Sequence, residues 1–304
     1  MSAVAGSASG TGEPLAPATN RKKIGIIVVV VLVLVVVAIV VYFVTKKPAP
    51  ASTAPAAASP STTAASPSTT AGSPGKSSST PTPVFHLDAG NPQSYPGTGS
   101  TWNDLAGSGI VTTLYNSPEY SSSNGGYLIF EPTKEQYGKT SASLSVLTKW
   151  TIEVWQSFKT NVSRQAQSII AEIYGGDGVG INFVLGGSNK DFPGVVTDNI
   201  SAAYYDGATW IRTPVKPMAA GWHHIVGSYD GTAINLYIDG VLVSTQPSTV
   251  VPTSSGLGYN IMDRWGGGAH EYWGGYLATL RIYNRALSLD EIKAVFALTK
   301  SRFQ

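Results

Sequence analysis

The stretch GWHHIVGSYDGTAINLYIDGVLVS, residues 221–244, reads as three short strands joined by two turns. Alternation places Trp222, His224, Val226 and Ser228 on one face of the first strand. His223, Ile225, Gly227 and Tyr229 fall on the other. Asp230-Gly231 ends that strand in a turn. Asp239-Gly240 lies between two β-rich arms and suits the positive φ angles of a type I′ hairpin. Upstream, TIEVWQSF (151–158) keeps the alternation only in part: Ile152, Val154 and Gln156 face one way, Glu153, Trp155 and Ser157 the other. Downstream, YLATLRIYN (276–284) predicts a late strand. The domain turns helical only near its end. Ser288-Leu-Asp-Glu291 is a capping box, and Leu289, Ile292, Val295 and Phe296 recur at helical spacing. That helix is expected to lie on a sheet and bury its stripe. Many short strands, Gly-rich turns and one small helix predict two packed antiparallel sheets.

Residues 221–244, followed by GGYLATLRIYNRALSLDEIKAVF (274–296), resemble the laminin-G-like, or concanavalin A-like, jelly-roll domains. VFHLDAGNPQSYPGTGSTWNDLAGSG (84–109) resembles the start of the same module in phage and giant-virus proteins. GGYLIFEP (125–132) is similar to its next strand, with Glu131-Pro132 where Asp-Gly is usual. The resemblance covers about 84–300. It implies an all-β fold: a two-sheet antiparallel jelly-roll sandwich with a short C-terminal helix. It also implies structural roles: Trp222 as a core anchor, the two Asp-Gly pairs as turns, and Asn284-Arg285-Ala286-Leu287 leading the last strand into the helix.

The N-terminal part of the chain is of another kind. Ile24 to Val44, IGIIVVVVLVLVVVAIVVYFV, holds no charge. At ~1.5 Å per residue a helix of that length reaches about 30 Å, the thickness of a bilayer's hydrocarbon core. It exceeds the ~7–15 apolar residues of a secretory signal, and Lys46 and Lys47 stand where small residues would mark cleavage. A single transmembrane helix at 24–44 is therefore expected. Arg21, Lys22 and Lys23 against Lys46 and Lys47 favour an internal or cytoplasmic tail, 1–23, with the C-terminal domain outside a cell or virion membrane. Residues 45–82 are almost all Pro, Ala, Ser and Thr and cannot build a core. They predict an extended stalk, open to O-glycosylation, that sets distance from the membrane. The rest, 83–304, holds all seven Trp and is long enough for a sizeable core. Six of the 20 basic residues and one of the 18 acidic ones precede it, leaving 14 basic against 17 acidic. A mildly acidic domain without a Lys/Arg cluster argues against a nucleic-acid partner. With no cysteine, neither disulfides nor thiol chemistry contribute. Asn161-Val-Ser163 and Asn199-Ile-Ser201 fit the N-glycosylation pattern.

Glucan-cutting enzymes on this jelly roll resemble one another in a strand bearing Glu, Asp and Glu at alternating positions, and glycoside hydrolysis needs two carboxylates. No such run is present; Glu153 and Glu172 stand apart, and no enzyme is expected. His223 and His224 are adjacent in a strand, so they point to opposite faces and cannot chelate one ion together. The resemblance implies calcium as the ion to consider, held by loop oxygens. Asp177, Asn189, Asp191 and Asp206 are the candidate ligands, although none shows a regular calcium-loop spacing. For a glycan, ring faces beside polar groups are needed. Tyr204, Tyr205 and Trp210 form one cluster. Trp265, His270, Tyr272 and Trp273 form another, flanked by glycines. The expected role is binding or adhesion by a membrane-anchored lectin-like domain, with a glycan or glycoprotein as partner beside the lipid bilayer. The alternative is a viral surface or minor capsid component that packs against other viral structural proteins.

Overall fold

The computed structural model describes residues 80–158, 167–176, 178–187, 199–264 and 271–304. Two antiparallel sheets stack face to face in a jelly-roll-like arrangement. The first runs in the order β15 (Val241–Pro247), β14 (Ala233–Ile238), β13 (Trp222–Tyr229), β7 (Trp150–Phe158), β17 (Gly275–Tyr283), β5 (Tyr127–Phe130) and β4 (Glu119–Ser121). β1 (Phe85–Asp88) shares the far edge of β17, pairing with Thr279 to Ile282 while β5 pairs with Gly275 to Leu277. The second sheet runs β11 (Trp210–Arg212), β10 (Asn199–Tyr205), β9 (Ile181–Gly187), β8 (Gln167–Glu172), β16 (Tyr259–Ile261), β6 (Tyr137–Thr140), β3 (Val111–Tyr115) and β2 (Thr101–Asn103). β12 (Lys216–Pro217) pairs with the start of β10.

The main core lies between the sheets. Ile152 and Val154 of β7 and Ile225 of β13 meet Phe183 and Leu185 of β9 and Ile200 of β10. At Gly227 the two sheets approach closely: a Cβ there would fall 2.9 Å from the Cβ of Ala202. Rings fill the space beside it, with Trp150 6.0 Å from Phe183 and Tyr204 5.2 Å from Tyr229 between centroids. Both tyrosine hydroxyls donate to the Val250 carbonyl, at 2.6 and 2.9 Å, so neither is buried without a partner.

The outer face of the first sheet is covered as well. Helix α1 (Leu289–Thr299) starts at the predicted capping box, with both reciprocal hydrogen bonds present. It buries Ile292 and Val295, and Ile292 packs with Val226, Tyr237 and Tyr283. Trp155 lies under this cover, stacked on Phe303 at 4.4 Å and Phe296 at 5.9 Å, and its indole donates to Thr299. β7 is thus buried on both faces, which explains why its alternation is only half apolar. Trp222 is a correction: it packs on this outer face, against Tyr127 and Phe303, not in the core between the sheets.

A row of charges crosses the same outer face. Arg281 lies opposite Glu153 on β7 and opposite His86 on β1. Its Nη1 donates to Glu153 Oε1 at 2.6 Å and its Nε to His86 Nε2 at 3.1 Å. Tyr283 donates to the other Glu153 oxygen, and His224 Nε2 stands 3.3 Å from the first. The end of the chain closes the structure. Arg302 donates to both Asp88 oxygens, to the Asn124 carbonyl and to the Gly126 carbonyl. Asp104 ties down the 104–108 loop by accepting from the N–H groups of His86, Ala106 and Ser108.

The Asp239-Gly240 hairpin has the expected geometry, with φ of 51° and 77°. The Asp239 carboxylate also accepts from the His224 N–H and pairs with His223 Nδ1 at 2.8 Å. Among the described residues no helix is long and apolar enough to cross a membrane; the apolar run at 24–44 and the 45–79 part of the stalk lie outside them.

Burial alone would raise the Glu153 carboxyl, but Arg281, then His224 and Tyr283, outweigh it and hold it at about 2. Burial first and the Arg281 charge second push His86 down to about 4. The carboxylate therefore contributes stability that is complete above its unfolded value of 4.5 and is lost as pH falls toward about 2. The imidazole, unfolded value 6.5, adds a loss as pH falls from there to about 4, because the unfolded chain takes up its proton first. Urea denaturation at stepped pH should show stability falling throughout this range; a flat profile between pH 6.5 and 4 would contradict it. Glu153→Gln should cost about 3–5 kcal/mol at neutral pH, because it strands the Arg281 charge. Gly240→Ala should cost about 1–2 kcal/mol, since its φ is positive and the new Cβ would crowd Phe296. The measurement is a lower denaturation midpoint at unchanged slope.

Candidate functional site

The outer face of the second sheet carries no helix among the described residues. At one edge the β10–β11 hairpin is set by Asp206, whose Oδ1 accepts from the N–H groups of Ala208 and Thr209. Those donors, Thr209 first, hold its carboxyl below the usual range. The turn pairs Tyr205 with Trp210 across the strands, rings 5.2 Å apart. Two residues on, Arg212 returns to the same face, its guanidinium 5.7 Å from the Trp210 ring. Arg264, three residues past β16, brings a second guanidinium to 5.3 Å from that ring. Its backbone pairs with Glu271, and its Nε lies 3.1 Å from Glu271 Oε2.

Beside Trp210 the sheet is paved with small residues. Val184, Gly186, Gly187, Ser201 and Ala203 floor a shallow depression, and Trp210, Arg212 and Arg264 also line it. A second group of rings stands near the other edge. Tyr115 and Tyr137 are cross-strand neighbours, stacked at 4.7 Å, and Tyr137 is 6.0 Å from Tyr272.

Several predicted site residues fall elsewhere. Tyr204 leaves the candidate set: strand alternation turns it inward between the sheets, where it is fully buried while its neighbour Tyr205 faces out. Trp273 leaves it too, since it is 1% exposed and belongs to the main core. Trp265, His270, Asp177, Asn189 and Asp191 lie outside the described residues. Of the calcium candidates only Asp206 is described, and one of its oxygens is taken up by the turn. Among the described residues no three His, Cys, Asp or Glu side chains gather as a metal would require. Asn199 is buried in β10, which puts its glycosylation triplet out of reach in the folded state; Asn161 is outside the described residues. Glu153 and Glu172 sit in different sheets and each has its own partners. Glu172 accepts from the Ser254 hydroxyl and from the N–H groups of Asn182 and Gly256. His223 and His224 point to different partners, Asp239 and Glu153, as their adjacency requires.

Sequence reasoning missed Arg212, Arg264 and the Tyr115–Tyr137 pair. The Trp-Ile-Arg spacing at 210–212 carried a signal for Arg212, because alternate strand residues share a face. Nothing local marked Arg264, which arrives through the sheet order.

No curated protein sequence matches the chain. Among solved structures, domain 4 of AbnA, a GH43 extracellular arabinanase from Geobacillus stearothermophilus in complex with arabinotriose, superposes with a TM-score of 0.52 at 14% identity, over 70% of this chain and 97% of that one. The binding domain of botulinum neurotoxin DC in complex with SialylT gives 0.53 at 10% identity, over 72% of this chain and 51% of that one. The receptor binding domain of botulinum neurotoxin type G gives 0.51 at 12%, over 72% and 51%. The chain thus spans about half the length of the toxin domains it matches. At these identities the likeness is one of fold. The sequence of residues 132–293, more than half of the chain, matches the family model directly, and the protein belongs to the concanavalin A-like lectin/glucanases superfamily.

Proposed function

We propose that the domain is a glycan-binding module, anchored in a membrane by residues 24–44 and held away from it by the 45–82 stalk. The observation that carries the reading is the cluster of Tyr205, Trp210, Arg212 and Arg264 beside a small-residue floor. It offers ring surface and hydrogen-bond donors together, the combination that orients a polyhydroxylated ligand. It lies on the second sheet's outer face, whereas α1 occupies that of the first. Relatives in fold were solved with arabinotriose and with SialylT, which supports a saccharide as ligand. We read the domain as a binder rather than a hydrolase because Glu153 and Glu172 hold the fold together in separate sheets. A calcium requirement is an open part of the proposal, with Asp206 as its described ligand.

The test is a glycan array probed with the full-length chain in detergent micelles, with calcium and then with chelator. Wild type should bind a defined set of glycans. Trp210→Ala should lose at least about tenfold in affinity, roughly 1.4 kcal/mol, with its circular dichroism unchanged. Binding to no glycan, or equal binding by the folded variant, would defeat the proposal. Loss on chelation would bring Asp206 and an ion into the site.

A further inference from the structure

The rings of the cluster are not bare. Trp210 has Tyr205 beside it and two guanidinium groups within 5.3 and 5.7 Å of its centroid. Beside ring surface, this site therefore offers a ligand N–H donors and positive charge.

Arg264 is the informative member. Its side chain is only 20% exposed, and a guanidinium carries five N–H donors. Its polar neighbour is Glu271, on the Nε side. Among the described residues its Nη groups have no hydrogen-bond partner. Arg281 and Arg302 differ: each spends its donors on several acceptors. The Nη groups of Arg264 are not among the buried side-chain atoms, so an acceptor from outside can reach them, and a charged donor binds one strongly. The depression that Arg264 lines is floored by Gly186, Ser201 and Ala203 and is shallow, about 10 Å³, space for one water-sized group such as a single oxygen.

We propose that this depression takes the anionic group of an acidic glycan, a carboxylate or a sulfate ester, with the Nη fork of Arg264 as its principal ligand. The inference rests on the glycan-binding reading and narrows it to a ligand class. A planar fork suits two-oxygen recognition of either group. Trp210 holds the fork in place, and Glu271 on the Nε side leaves the Nη side for the ligand.

The experiment uses the full-length chain in detergent micelles at about 0.15 M salt. Three immobilised polymers serve as probes: neutral dextran, dextran sulfate and polygalacturonate. Wild type should bind one or both acidic polymers and not dextran; which one tells sulfate from carboxylate. Arg264→Gln should weaken that binding at least tenfold, whereas Lys293→Gln on α1 should leave it unchanged. If Arg264→Gln does not fold, Ser201→Asp, which puts a carboxylate into the depression, should produce the same loss. Acidic-polymer binding that survives these changes would belong to the basic residues near the apolar run and would overturn the proposal. So would array binding confined to neutral glycans that needs Trp210 but not Arg264; the glycan-binding reading would then stand alone. Failure to bind any glycan or polymer would defeat both.

Discussion

A strand buried on both faces needs a cover on each, and β7 imposes that requirement on this fold. Between the sheets Ile152 and Val154 meet the apolar core. On the other side Glu153 and Trp155 would face water if the first sheet had no lid. Helix α1 and the last residues supply the lid through Phe296 and Phe303, which stack on Trp155. A carboxylate in such a layer must be paired, and Arg281, Tyr283 and His224 gather around it. The lid also decides where function can reside. With one outer face occupied by α1, the outer face of the second sheet is, among the described residues, the broad surface that carries no helix.

Much of this architecture was legible because its determinants are local. Asp239-Gly240 declares a hairpin through the φ angles it tolerates, and Ser288 with Glu291 declares a helix start through two hydrogen bonds within one turn. The half-kept pattern of TIEVWQSF was a true signal of two-sided burial, readable only once a lid is known. The site was less legible. Tyr204 and Tyr205 are neighbours of the same chemistry, and alternation sends one inward and one outward without saying which. Tyr272 and Trp273 pose the same ambiguity. Arg264 reaches Trp210 across 54 positions of sequence because β16 lies in the sheet that β11 edges, a fact of topology that no local spacing encodes.

Three arginines in this domain show how surroundings decide what a guanidinium does. Arg281 is inside a network, where its charge keeps Glu153 ionised and adds to the effect of burial in lowering His86. Arg302 joins the last turn to Asp88 and to the carbonyls of the 124–126 turn. Arg264 rests on a ring, and among the described residues its Nη donors have no hydrogen-bond partner. The first two serve the fold, and the third is the one we propose serves a ligand. A net acidic domain can present a cationic spot in this way, because the spot depends on which donors are left over and not on total charge.

The pairing of β1 has a mechanical consequence. Val84 donates to the Ile282 carbonyl and Ala89 to that of Ala278, so β1 is bonded to β17 along its whole length. Any tension transmitted through residue 84 enters the domain at this short strand. A pull along the strand axis shears its hydrogen bonds together, whereas a pull across the axis would peel them one at a time. The Arg302–Asp88 contact stands at the far end of β1, behind those bonds. Resistance of this strand to such a pull is a matter of rate, and that rate is distinct from the equilibrium stability of the sandwich.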